Sequence, residues 1–86
     1  MKIVIPSYER YETIQQKSIN LLLSYGYEPN DIYVFVANED QYNKYREKID
    51  NDISIIIAVK GLKEVREFIF NYFDEGEYLL CLDDDI

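Results

Sequence analysis

The 86 residues carry a formal charge of -8, from 17 acidic and 9 basic side chains, with 48% hydrophobic and 30% charged residues, three Gly and two Pro. That length holds one domain and excludes a second, and the hydrophobic content excludes a disordered chain. The charge would repel a phosphate backbone, so no direct nucleic-acid binding is expected of this segment, while one Cys and no His exclude an intramolecular disulfide, a Ser-His triad and most zinc sites.

The first apolar run is Lys2 to Ile5, short and β-branched, and it reads as a strand. It is followed by "PSYER" and then by Tyr11, Ile14, Ser18, Leu21, Leu22 and Tyr25 on one helical stripe, with Gly26 as the stop. Ile32 to Ala37 is the second strand. Asn38 is placed to cap the next helix, with Glu39 and Asp40 at the positive end of its dipole and Tyr42, Tyr45 and Ile49 as its stripe. Ile53 to Val59 is the third strand, and Leu62, Val65, Ile69, Tyr72 and Phe73 line a third helix that Gly76 ends. Tyr78 to Leu82 is the fourth strand, in which Cys81, with no His to activate it, is expected to be a small buried core residue. The nine tyrosines are expected to be half-buried core with a wet hydroxyl.

The order β-α-β-α-β-α-β, with strands apolar on both faces, predicts an α/β fold: a parallel sheet between helices, three-layer α/β/α, over residues 1–86. In such sheets ligands bind beyond the carboxyl ends of the strands, where the strand order reverses. With order 3-2-1-4 the reversal lies between the first and fourth strands, which brings Ser7 and Tyr8 beside Asp83, Asp84 and Asp85. Three adjacent carboxylates repel one another, so they need open water or a cation. A solvated chain end and a site for Mg²⁺ or Mn²⁺ both satisfy this; Asp83 and Asp85 share a side if the strand continues, and Arg10, Lys60 and Arg66 are at hand to meet a diphosphate.

"IVIPSYER", "VFVANED", "KGLKEVRE" and "YLLCLDDDI" resemble, in order and spacing, the nucleotide-binding half of GT-A glycosyltransferases, whose first strand ends in a Pro-Ser/Thr-Tyr-x-Arg loop and whose later strand ends in a DXD motif. Among them the wording is most similar to phage and viral TET-associated enzymes that glycosylate hypermodified pyrimidines in DNA. The resemblance implies a Rossmann-like half-domain that binds a nucleotide diphosphate sugar, a UDP-sugar first among them, with Mn²⁺ or Mg²⁺. It implies donor contacts from Pro6, Ser7, Tyr8, Arg10, Asn38, Glu39, Lys60, Arg66 and Asp83, and metal ligation by Asp83 and Asp85. Glu67 stands where the family has Asn after the basic residue, a departure that bears on Arg66.

Each residue has a plainer reading: Ser7 as a helix cap, Tyr8 as a staple on the sheet, Glu39 as a dipole residue, Lys60 and Arg66 as solvated side chains. The family's acceptor-side base follows the DXD strand, so the chain is expected to be the donor half of a longer, metal-dependent transferase. A homodimer or the missing C-terminal half is expected to cover its apolar edge. With no leader-like segment or long apolar span, a cytoplasmic protein without a membrane span is expected, in the host cytoplasm if viral. The alternatives are a non-catalytic nucleotide-sugar binding or assembly module, a phosphoribosyltransferase-like diphosphate site and a doubly wound protein-interaction domain.

Overall fold

The computed structural model describes residues 2–58, 62–73 and 78–82, with the backbone alone at 62, 63, 65 and 66. Four short strands form one parallel sheet: β1 (Lys2–Pro6), β2 (Ile32–Val36), β3 (Ser54–Ile57) and β4 (Leu79–Cys81), in the spatial order β3-β2-β1-β4. Register places Ile3 beside Ile32 and Leu80, and Val34 beside Ile55. The parallel sheet expected from the apolar runs is present, and its strand order is the 3-2-1-4 taken above.

Side chains alternate across the pleat and sort into two clusters. Ile3, Ile5, Ile32, Val34, Val36, Ile53 and Ile55 share one cluster with Ile14, Ile19, Leu22, Tyr45 and Ile49 from the connections. Val4, Phe35 and Ile69 anchor the other, with Tyr33, Ile56, Phe68, Phe73 and Leu79 packed on them. Phe35 meets Phe68, Tyr72 and Phe73 edge-on at 5.6 to 6.2 Å, a geometry that aligns ring edges with ring faces. Helical connections pack on both faces of the central strands β1 and β2, and each fully buried Ile or Val contributes roughly 1.5–3 kcal/mol.

The first helical segment departs from regular geometry. A π-helical turn over Gln15–Ile19, in which the Asn20 amide donates to the Gln15 carbonyl, leads into α1 (Asn20–Ser24). A π turn holds one residue more than an α turn, so every inward position after it moves by one. The stripe expected at Ser18, Leu21, Leu22 and Tyr25 becomes Ile19, Leu22 and Leu23, with Ser18 still buried, while Leu21 and Tyr25 are exposed. Gly26 ends the segment as expected: at φ 94° it is left-handed, and the Tyr27 and Gly26 amides donate back to Leu22 and Leu23 in a Schellman closure.

The second connection runs through α2 (Glu39–Lys48), capped by Asn38, whose Oδ1 accepts from the Gln41 amide at 2.9 Å. Arg46 closes its far end by donating through Nη2 to the carbonyls of Asp50 and Ile53. The third runs through α3 (Leu62–Tyr72), which carries Ile69 onto the sheet. Cys81 is exposed, contrary to the buried core position expected of it. The reason is topological: β4 is a three-residue edge strand with a neighbour on one side only, so it lacks the lateral cover that buries β1. The tyrosines also divide more widely than expected, from Tyr45 at 0% exposure to Tyr25 and Tyr78 at 71% and 82%. Among the described residues no helix is long and apolar enough to cross a membrane.

The π turn makes an ordering of mutant stabilities that a regular helix would reverse. Ile19→Ala is expected to cost about 2–4 kcal/mol and Leu21→Gln less than about 0.5 kcal/mol in urea unfolding; equal costs, or a larger one at Leu21, would contradict the register.

Candidate functional site

The order β3-β2-β1-β4 reverses between β1 and β4, so the loop leaving β1 stands at the switch point. Pro6 shapes this place. In β1 the even-numbered residues bond toward β4: the Lys2 amide donates to Tyr78, and the Leu82 amide donates to Val4. The next donor in that series would be residue 6, and proline has none. Among the described residues the last bond of the ladder to β4 is therefore that of the Leu82 amide to Val4, while toward β2 the Ser7 amide donates to Phe35 at 2.9 Å.

Beyond Pro6 the loop is held from below by α2. Ser7 is buried, and its hydroxyl lies 2.5 Å from the Tyr45 hydroxyl. The same phenol oxygen accepts from the Arg10 amide at 2.9 Å, and Gln41 Oε1 accepts from the Glu9 amide at 2.9 Å. Glu9 lies at φ 57°, the one non-glycine residue with positive φ among those described. An L-residue in that region costs about 1–2 kcal/mol unless its surroundings hold it, and here the bonds at Glu9 and Arg10 do so. The turn lets the Arg10 carbonyl accept from the Thr13 and Ile14 amides and so start the next helical segment.

Ser7 does not take the cap role expected of it at that segment. Its hydroxyl instead meets Tyr45, and no side chain caps the π turn. Tyr8 is 41% exposed, and the Arg10 side chain is exposed as well. Asn38 and Glu39 are exposed at the end of β2, Asn38 as a helix cap and Glu39 in the first turn. Asn38 is nonetheless tied to the β1 loop, because it accepts from Gln41, which in turn accepts from Glu9. Pro6, Ser7, Arg10 and Asn38 are thus brought into one connected region. Lys60, Asp83, Asp84, Asp85 and the Arg66 side chain lie outside the described residues. Among the described residues no group of three His, Cys, Asp or Glu is placed to hold a metal ion.

Beside the loop, an open recess of about 420 Å³ is lined by Glu9, Arg10, Tyr11, Glu12, Thr13 and Lys44. Tyr11 stands edge-on to Tyr45 at 5.9 Å and lies under the Lys44 ammonium at 5.5 Å. Lys44 also pairs with Asp40 at 3.3 Å, one helical turn away. The hydrogen bond to Asp40, followed by its charge, holds the Lys44 pKa above the ordinary lysine value, so the ammonium stays charged throughout the neutral range.

Two functional-looking residues were missed from sequence: Gln41 as an acceptor inside the protein, and the Tyr45 hydroxyl as the floor of the loop. A signal for Gln41 did exist. It falls on the same i, i+4 stripe as Tyr45 and Ile49, and a polar residue on an inward stripe must find a partner there.

The chain matches no family model, no curated protein and no solved structure.

The left-handed position at Glu9 separates two substitutions. Glu9→Gly is expected to leave stability within about 0.5 kcal/mol, strain relief offsetting chain entropy, whereas Glu9→Val, β-branched, is expected to cost about 1–2 kcal/mol. Thermal unfolding of both variants checks this, and a glycine variant that melts lower than the valine variant would contradict the turn.

Proposed function

We propose that this chain is the donor-binding half of a metal-dependent glycosyltransferase of the GT-A kind, a three-layer Rossmann-like unit that binds a nucleoside diphosphate sugar, UDP-linked first among the candidates. One observation carries the reading: the 3-2-1-4 order puts the Pro6–Arg10 loop at the switch point beside the strand that leads into Asp83, Asp84 and Asp85. It is the place where an open parallel sheet takes its ligand.

In this reading the exposed Arg10 guanidinium meets the diphosphate through charge-assisted hydrogen bonds. Tyr8 offers an aromatic face to the nucleoside, and Asn38 and Glu39 stand at the neighbouring strand end near the base or ribose. Lys60 and Arg66 are assigned to the diphosphate from their places in the chain. The donor set of Asp83 and Asp85 is all carboxylate oxygen, which suits a hard divalent cation such as Mn²⁺ or Mg²⁺. When bound, such an ion supplies charge stabilisation of a leaving diphosphate. The protein's own residues bind and orient the donor, and the residue that takes a proton from the acceptor hydroxyl is not among those assigned here.

The test is thermal shift of the chain against UDP, GDP, ADP and CDP, each with and without Mn²⁺. A single diphosphate is expected to stabilise the chain in the presence of the metal, by about 2.7 kcal/mol at a hundredfold excess over its dissociation constant, and Asp85→Asn is expected to abolish the shift. A flat panel would remove the proposal.

A further inference from the structure

We infer that Gln41 and Tyr45 are positioning residues: from the buried face of α2 they fix the β1 loop against the β2 loop and thereby set the affinity of the diphosphate site. The inference rests on the donor-binding reading of that site, and it names a part of the molecule which that reading leaves unused.

Gln41 is 4% exposed and Tyr45 0% exposed, so neither reaches a ligand lying in the crevice. Burying an amide and a phenol costs free energy that Leu and Phe would not, unless their polar atoms are satisfied. Here those polar atoms face the loops. Tyr45 takes the Arg10 amide and meets the Ser7 hydroxyl, while the Gln41 side-chain oxygen takes the Glu9 amide; the Gln41 backbone N–H donates separately to the Asn38 cap. The loop after β1 is therefore joined through two side chains one turn apart to α2, the helix that begins at the Asn38 cap after β2. A link of two or three bonds across a rigid helix holds the two loops at one spacing, and preorganisation of that kind lowers the ordering cost of binding.

The same bonds restrict how an anion can be met. The amides of Glu9 and Arg10 are turned inward to Gln41 and Tyr45, so they do not form a backbone cradle for phosphate. Recognition at this loop falls to side chains, with Arg10 foremost, and the geometry of that side chain depends on the left-handed turn at Glu9 that Gln41 holds.

The experiment uses Tyr45→Phe and Gln41→Met, each removing an acceptor with little change of volume, and UDP with Mn²⁺ as the probe. Titration calorimetry well below the melting range is expected to show affinity weakened by about threefold to tenfold in each variant, the equivalent of one ordinary hydrogen bond. Amide exchange is expected to accelerate at Arg10 in Tyr45→Phe and at Glu9 in Gln41→Met, while Ile69 on the far side of the sheet is unchanged. Ile69→Val serves as the control, losing stability but not affinity. Gln41→Glu retains an acceptor and is expected to keep the Glu9 amide protected. Variants that melt lower yet bind UDP as the wild type does would overturn the inference, as would unchanged exchange at Glu9 and Arg10. If the wild-type chain binds no UDP, the UDP reading of the site fails and the affinity claim with it, whereas the exchange data still decide whether the clamp exists.

Discussion

A phenol hydroxyl shut away from water has to be answered by the protein, and at Tyr45 the answer comes from the loop that leaves β1. The ring packs in the core with Ile3, Ile5 and Val34, and its oxygen receives the Arg10 amide. One side chain therefore ties the apolar interior to a segment that would otherwise have only its own backbone to hold it. The left-handed Glu9, the start of the next helical segment at the Arg10 carbonyl and the burial of Ser7 all lie within three residues of that contact. Core packing and loop shape are consequently coupled, since a shift of α2 along the sheet would move the acceptor on which the loop rests.

Strand composition carried the architecture. Four short apolar runs separated by helix-length connections allowed few arrangements, and right-handed crossovers narrowed them to a parallel sheet. Asn38 as a cap and Gly26 as a stop follow from local chemistry that each residue carries with it, whereas the order 3-2-1-4 is set by which strands pair across the sheet. The π turn did not follow. Its extra residue arises from a competition between two hydrogen-bond patterns over Gln15–Ile19, and side-chain spacing read at 3.6 residues per turn assigns Leu21 and Tyr25 to a face they do not occupy. Cys81 was misplaced for a related reason. An apolar run shows that a strand is a strand, but not whether it has one neighbour or two.

Within the candidate site, the residues legible from sequence were those with a motif, and those left unseen were acceptors on inward stripes. "PSYER" marks Ser7 and Arg10 at once, yet the contribution of Arg10 to the loop's shape is made by its backbone, which any residue would supply. Gln41 belongs to no motif. Its role depends on a partner 32 positions away and becomes visible only when the sheet brings the two connections side by side. Contacts of this kind are long-range and carried by common residue types, so they leave little trace in a local pattern.

Pro6 closes the comparison between the two sides of β1. Toward β2 the ladder continues through the Ser7 amide; toward β4 the donor at position 6 is missing for want of one hydrogen atom. The two neighbours of β1 are thus held unequally at position 6, with one donor fewer on the β4 side. A seam with this asymmetry can part without disturbing β1 and β2, like a door hung on a fixed post. Strain along that seam would then be taken up by β4, leaving the loop on its Tyr45 floor in place.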